Sequence, residues 1–274
     1  MTPQPQARPT CLILFASVAL ALSALGDDRP NIILILADDL GYGDVGFQGS
    51  TQIPTPNLDR LAASGIVCAQ GYVSAPVCSP SRAGLLTGRN QVEFGYDNNL
   101  AETQPGFDPD FGGLPVTEKT IADRLRTAGY ATGLVGKWQL GDRPQFHPIR
   151  RGFDEFWGFL GGGHRYFATV AAGKAEPAIE CSFGPAGAIT YLTDDITTQG
   201  IAFMRRHRDR PFFLYAAYNA PHAPMDARPE DLARFAAIKD PKRRAYCAMV
   251  ARLDHQVGRL LDEVRELGLE QKTL

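Results

Sequence analysis

The segment Cys78-Ser79-Pro80-Ser81-Arg82 combines a nucleophile precursor, a proline that can open a helix, and a cation one helical turn beyond the cysteine. The run Ala83 to Arg89 continues that helix. A helix N-terminus beside a fixed cation is a ready anion site, because unpaired N–H groups and the dipole point the same way. Alone, Cys78 could equally be a buried cysteine before an ordinary helix, since free Cys is among the most buried residue types. Three other positions bear on the choice. Asp38-Asp39 follows an apolar run, where paired carboxylates either bind a hard divalent cation or form a solvated turn. Lys137, in Gly136-Lys137-Trp138, offers a point charge to an anionic substrate or is a surface lysine. His222, between Pro221 and Pro224, could act as general acid or anion donor, or have no role. Together they describe a cationic pocket beside a metal, suited to an oxyanion ester such as sulfate or phosphate.

These residues need elements to hold them. Asn31 to Ala37 is a short continuous apolar run, the pattern of a buried parallel strand. Pro56 to Ser64 reads as a helix with Thr55 as N-cap and Gly65 at its end. Ile66 to Val73 reads as a strand leading into the Cys78 segment. Thr117 to Ala128 is an amphipathic helix, and Tyr130 to Val135 the next strand, which places Lys137 in the turn after it. Residues 141–190 read as loops with short strands. Thr193 to His207 is a helix capped near Thr193 or Asp194, and Pro211 to Tyr218 a buried strand ending before His222. From Pro241 to Leu267 apolar residues recur at three and four, giving a long amphipathic helix closed by Gly268. The alternation predicts an α/β fold with a mostly parallel central sheet and helices on both faces. Ligands then belong at the carboxyl ends of the strands, where Asp38, Asp39, Lys137 and His222 fall.

The whole chain sets limits. Its 274 residues, 44% of them apolar, can bury a substantial core. A net charge of −2 and the lack of a basic stripe argue against nucleic acid as a partner. Arg8, the apolar stretch Cys11 to Leu25 and the small residues Ala24 and Gly26 read as a signal peptide over residues 1–26. An uncleaved anchor is the alternative, but the run is short for a full span, so stable membrane insertion is not expected. The remaining chain is then exported, periplasmic or extracellular. Cys68, Cys78, Cys181 and Cys247 allow three full disulfide pairings, which spacing does not decide.

From about Pro30 to its end the chain resembles a sulfatase of the alkaline-phosphatase superfamily. The residues that carry the resemblance are Asn31 to Asp39, Pro54-Thr55-Pro56-Asn57-Leu58-Asp59, Cys78-Ser79-Pro80-Ser81-Arg82, Gly136-Lys137-Trp138 and Pro221-His222-Ala223-Pro224, in that order. The resemblance implies an alkaline-phosphatase-like sheet and makes residues 27–274 the N-terminal part of a sulfatase catalytic domain. It implies that a maturation enzyme oxidises Cys78 to formylglycine, whose hydrate carries two hydroxyls. One, activated by bound calcium, would attack the sulfate sulfur, and the other would expel sulfate. Asp38, Asp39 and the converted Cys78 would be metal ligands, Arg82 would steady the hydrate and the carboxylates, and Lys137 and His222 would bind the sulfate and assist the leaving group. The substrate would be a sulfated small molecule or carbohydrate.

Two departures stand against the pattern. The family has a histidine two residues after its lysine, where this chain has Gln139, which hydrogen-bonds but takes up no proton near neutral pH. The family's Asp-Asn metal pair and a further lysine would follow Leu274, so the C-terminal part of the fold is expected to be missing. Two other readings follow: a truncated or degenerate non-catalytic homologue, and a phosphodiester or phosphonate hydrolase of the same superfamily. Tyr96, Phe107, Trp157, His164 and Arg165 either stack on and grip a sugar or pack loops.

Overall fold

Three apolar runs too short for a buried helix pair side by side at the centre of the molecule. In the computed structural model, which describes residues 28–99, 112–168 and 178–274, they are β1 (Ile32–Asp38), β2 (Ala131–Lys137) and β5 (Phe212–Pro221). With β3 (Glu155–Phe159) and β4 (Glu180–Cys181) they form one sheet in the order β1-β5-β2-β3-β4. All neighbours are parallel except β3 and β4. The signal-peptide reading of residues 1–26 and the position of Phe107 lie outside the described residues.

Every residue of β2 and β5 is buried, as a strand covered on both faces requires. Side chains alternate between two cores. Val135, Leu214, Ala216 and Tyr218 face α4 (Leu192–His207) and α6 (Pro241–Glu266). Leu134, Phe213, Tyr215 and Ala217 face α2 (Cys78–Thr87) and α3 (Ile121–Thr127). Helices thus cover both faces, as the sequence predicts. Two further α-helices among the described residues are α1 (Pro56–Ser64) and α5 (Pro229–Arg234). Carboxylate Asp254 on α6 accepts the Asn57 and Leu58 backbone N–H groups, tying α1 to the long helix. The last residues run beside β1: Ile33 N–H donates to Leu274 O at 2.8 Å, and Leu274 N–H to Asn31 O at 2.8 Å.

Several local expectations are corrected. Ile66–Val73 is not a strand but irregular chain, with Ile66 94% and Tyr72 87% exposed. Strand propensity counts only where a partner edge exists, and none of the five strands offers one to this segment. Lys137 is the last residue of β2, not part of the turn after it. Helix α3 starts at Ile121 because Thr120 and Asp123 form a capping box. Thr55 precedes α1 without capping it, its hydroxyl being engaged with Gly46 N and Asp59. At α4 the carboxylate that bonds back to the N-terminus is Asp195, which accepts from Thr190 N and Tyr191 N. No helix among the described residues is long and apolar enough to cross a membrane.

Candidate active site

The three central strands deliver their chemistry at one pole. β1 ends on Asp38, whose side chain is buried, and the next residue, Asp39, adopts φ 63°. That left-handed turn sends the second carboxylate outward, so Asp38 lies within the protein while Asp39 is 59% exposed. β2 ends on the fully buried Lys137. It can lie flush against β5 because Gly136 has φ 110°, and a Cβ there would sit 2.0 Å from Ala217 O. Just past β2, Gln139 also turns left-handed, at φ 56°. Beyond β5, His222 Nδ1 lies 2.6 Å from Ala223 O. A carbonyl accepts only, so Nδ1 carries the proton and Nε2 is the nitrogen turned to the site, 3.8 Å from Asp39 Oδ2.

Helix α2 brings the fourth component from the other side of the sheet. Cys78 is its first residue, and Arg82, one turn on, is almost wholly buried. Arg82 Nη1 donates to Lys137 O at 2.9 Å and to Tyr215 OH at 3.3 Å, and Nη2 lies 3.6 Å from Asp38 Oδ1. Lys137 Nζ contacts Asp38 Oδ2 directly. The start of α2 is clamped through Ser79. Its N–H donates to Asn99 Oδ1 at 3.0 Å and its hydroxyl donates to Gln139 O at 2.6 Å. With that proton committed, the Tyr96 hydroxyl is the donor in its 2.7 Å bond to Ser79. Burial pushes the Tyr96 phenol up to about 12.

Burial opposes the Asp38 carboxylate, but Arg82 and Lys137 outweigh it and hold its pKa below the ordinary carboxylate value. Burial, and then the like charge of Arg82, lowers the Lys137 ammonium, while Asp38 offsets part of that. The Cys78 thiol is pushed up by burial and by both aspartates, against the pull of Lys137. One carboxylate thus faces two buried cations. Arg82 Nε and Nη2 nevertheless have no hydrogen-bond partner among the described residues. Buried donors are rarely left so, and a cation with free N–H groups at a helix start is a seat for an anion.

The residues singled out in the sequence therefore meet. Asp38 Oδ, Cys78 Sγ and a His222 ring nitrogen lie within 4.8 Å of one another. Arg82 and Lys137 pack behind Asp38, with Asp39 at the rim. The aromatic candidates mostly resolve as packing: Tyr96 and Trp157 are buried, Trp157 Nε1 donates to Ala186 O, and His164 packs against Phe159. Sequence reasoning missed Tyr215 behind Arg82, Ser79 as a clamp, and Tyr166, whose hydroxyl donates to His222 O at 2.8 Å. Only Ser79, inside the Cys78 segment, carried a signal that could have found it. Cys68, Cys78, Cys181 and Cys247 are all free thiols.

The family model described as Sulfatase matches residues 30–274, which takes in every residue of this pole. The chain belongs to the sulfatase family. It is 36% identical to N-acetylgalactosamine-6-sulfatase of Mus musculus, over 96% of this chain and 52% of that protein. It is 35% identical to arylsulfatase A of Bos taurus, over 94% of this chain and 53% of the relative. A crystal structure of Ps i-CgsB in complex with k-i-k-neocarrahexaose superposes with a TM-score of 0.81 at 41% identity, covering 89% of this chain and 57% of that one. The chain thus spans about half the length of the relatives it matches. Its mostly parallel sheet with helices on both faces is the corresponding half of the alkaline-phosphatase-like sulfatase fold.

Proposed function

We propose that this protein, exported from the cell, hydrolyses sulfate esters, using a formylglycine made from Cys78 after translation by a maturation enzyme. The observation that carries the reading is the buried Arg82, with two nitrogens that make no hydrogen bond among the described residues, set one turn beyond Cys78 and beside Lys137. A tetrahedral oxyanion satisfies such donors, and two cations around one carboxylate leave the charge it needs. Relatives named as sulfatases, and a similar structure holding k-i-k-neocarrahexaose, support a sulfated carbohydrate as substrate.

Conversion of Cys78 would replace a thiol with an aldehyde, whose hydrated form supplies an oxygen nucleophile and an internal route for expelling sulfate. Calcium would be held by Asp38 and Asp39 together with an oxygen at position 78, and would lower the charge of the attacked group. These carboxylates fit a hard cation in kind, and they are two of the six to eight oxygens it takes. The chain's own residues do the rest. Arg82 and Lys137 bind sulfate oxygens and balance the charge that builds on them. His222 is held by its Nδ1–H bond to Ala223 O, so Nε2 is the nitrogen turned to the departing oxygen, and it hands over a proton when the ring carries a second one. Gln139 fixes Ser79 through its backbone carbonyl, and its buried side-chain oxygen Oε1 has no hydrogen-bond partner among the described residues. An amide oxygen there can accept a hydrogen bond but takes up no proton.

The test pairs mass and rate. After co-expression with a formylglycine-generating enzyme, intact mass of the peptide bearing Cys78 should show the aldehyde, and the protein should cleave an aryl sulfate faster than an aryl phosphodiester. An unmodified thiol under those conditions, or a preference for the phosphodiester, overturns the reading.

A further inference from the structure

We infer that the unconverted chain, with Cys78 still a thiol, is a binding site for zinc rather than calcium, with Asp38, Cys78, His222 and Asp39 as ligands. This goes beyond the hydrolytic reading, because it concerns the protein before residue 78 is modified. The argument begins with donor chemistry. In the thiol form the converging atoms are a carboxylate oxygen, a sulfur and an imidazole nitrogen, within 4.8 Å of one another. Calcium selects oxygen alone, whereas zinc takes thiolate, imidazole and carboxylate together. Tetrahedral zinc with bonds of about 2.0–2.3 Å holds its ligands roughly 3.5 Å apart, so contraction by at most about 1.3 Å brings these three ligands onto one ion.

The histidine is already set for the task. Its Nδ1–H is committed to Ala223 O, which leaves Nε2 with the free lone pair and fixes the ring. Metal-binding histidines are held in this way by a carbonyl or carboxylate on the other nitrogen. Asp39 Oδ2 stands 3.8 Å from that Nε2 but outside the three-atom cluster; its exposed side chain would swing inward to supply the fourth donor, and that exposure opens a path for the ion. Charge also closes. Asp38, Asp39 and a thiolate are three anions against Lys137 and Arg82, so a bound dication leaves a single positive charge. Binding forms one S–Zn bond and releases the thiol proton to solvent, with no change of oxidation state. In the converted protein the sulfur is gone, and the preference should pass to oxygen-seeking cations.

Cobalt(II) reports on the site directly. The 274-residue chain, produced without the converting enzyme and verified as the thiol by intact mass, is titrated with Co2+. The expected result is one equivalent bound, with intense visible bands of a tetrahedral ion and a near-ultraviolet sulfur-to-cobalt charge-transfer band. Zn2+ should erase both bands stoichiometrically, while a hundredfold excess of Ca2+ should leave them. Cys78→Ser should lose the charge-transfer band, and His222→Ala should weaken Co2+ binding by about tenfold or more. A chain with Cys11, Cys68, Cys181 and Cys247 all changed to serine should keep the band, which assigns the sulfur to Cys78 without substituting it. Absence of the band in the unmodified chain, its persistence in Cys78→Ser, or displacement of cobalt by calcium overturns the inference. None of these readouts depends on sulfatase turnover, so failure here and failure of the hydrolytic reading are separate results.

Discussion

Two carboxylates in this protein each gather two cations, and they do so to opposite ends. Asp194, on α4, accepts from Arg252 Nε at 2.7 Å, from Arg252 Nη2, from Arg228 Nη1 at 2.8 Å and from Gln256 Nε2 at 2.8 Å. Both oxygens are saturated, and the node welds α4 to α6 and to the segment before α5. Asp38 contacts Lys137, but Arg82 stands 3.6 Å off with two nitrogens free of hydrogen bonds among the described residues. The first arrangement is complete in itself. The second holds a surplus of buried donor capacity, which proteins keep where a ligand completes it.

The sharpest way to break the comparison is to remove one charged partner from each node. Asp38→Ala leaves two buried cations without a counter-charge, and should cost about 3–5 kcal/mol in denaturant unfolding. At the other node, Arg252→Ala removes a two-pronged partner from a less buried carboxylate, and should cost about 1.5–3 kcal/mol. Equal losses at the two sites would show that Asp38 is no more desolvated than Asp194.

A gentler probe separates saturation from surplus. Inorganic sulfate, at ten times its dissociation constant, should stabilise the wild-type chain by about 1.4 kcal/mol. Arg252→Ala should keep that increment although its baseline is lower, and Lys137→Met should lose it. The difference between the variants is the measurement, because sulfate also stabilises proteins generally by exclusion from their surfaces. An increment shared by all three chains would remove the anion seat from the Asp38 node.

The two nodes also differ in how far the sequence discloses them. Asp38, Lys137 and His222 are legible because each ends or directly follows an apolar strand, and parallel topology brings strand ends together. Arg82 is legible from its helical spacing to Cys78. The Asp194 node has no local signature: residues 194, 228, 252 and 256 meet only once α4 and α6 have packed, and the sequence suggests no more for Asp194 than a helix cap. Tyr215 is hidden for a related reason. Its hydroxyl reaches Arg82 from within the apolar run of β5, where it reads as core. Ile66–Val73 fails the other way: its local pattern is that of a strand, but the sheet has no position for it.

Glu155, at the start of β3, is a third node and the mildest. It pairs with Arg206 and His207, and its side chain keeps 17% exposure. Burial alone would raise its pKa, but hydrogen bonds from His207 and Arg206 prevail and lower it from the ordinary value of 4.5. A carboxylate bound more tightly as an anion in the folded state contributes stability that is fully present above the unfolded pKa. That contribution fades as pH falls from about 4.5 through the lower folded value, because the unfolded chain takes up the proton first. Glu155→Gln should therefore cost about 1 kcal/mol or less at neutral pH. It should also make stability less steep in pH across the acid range, measured as urea midpoints between neutral pH and the acid limb. A variant whose acid limb is as steep as that of the wild type would assign the slope to other carboxylates, and would leave Glu155 as a contact that orders the start of β3 without storing charge-dependent stability.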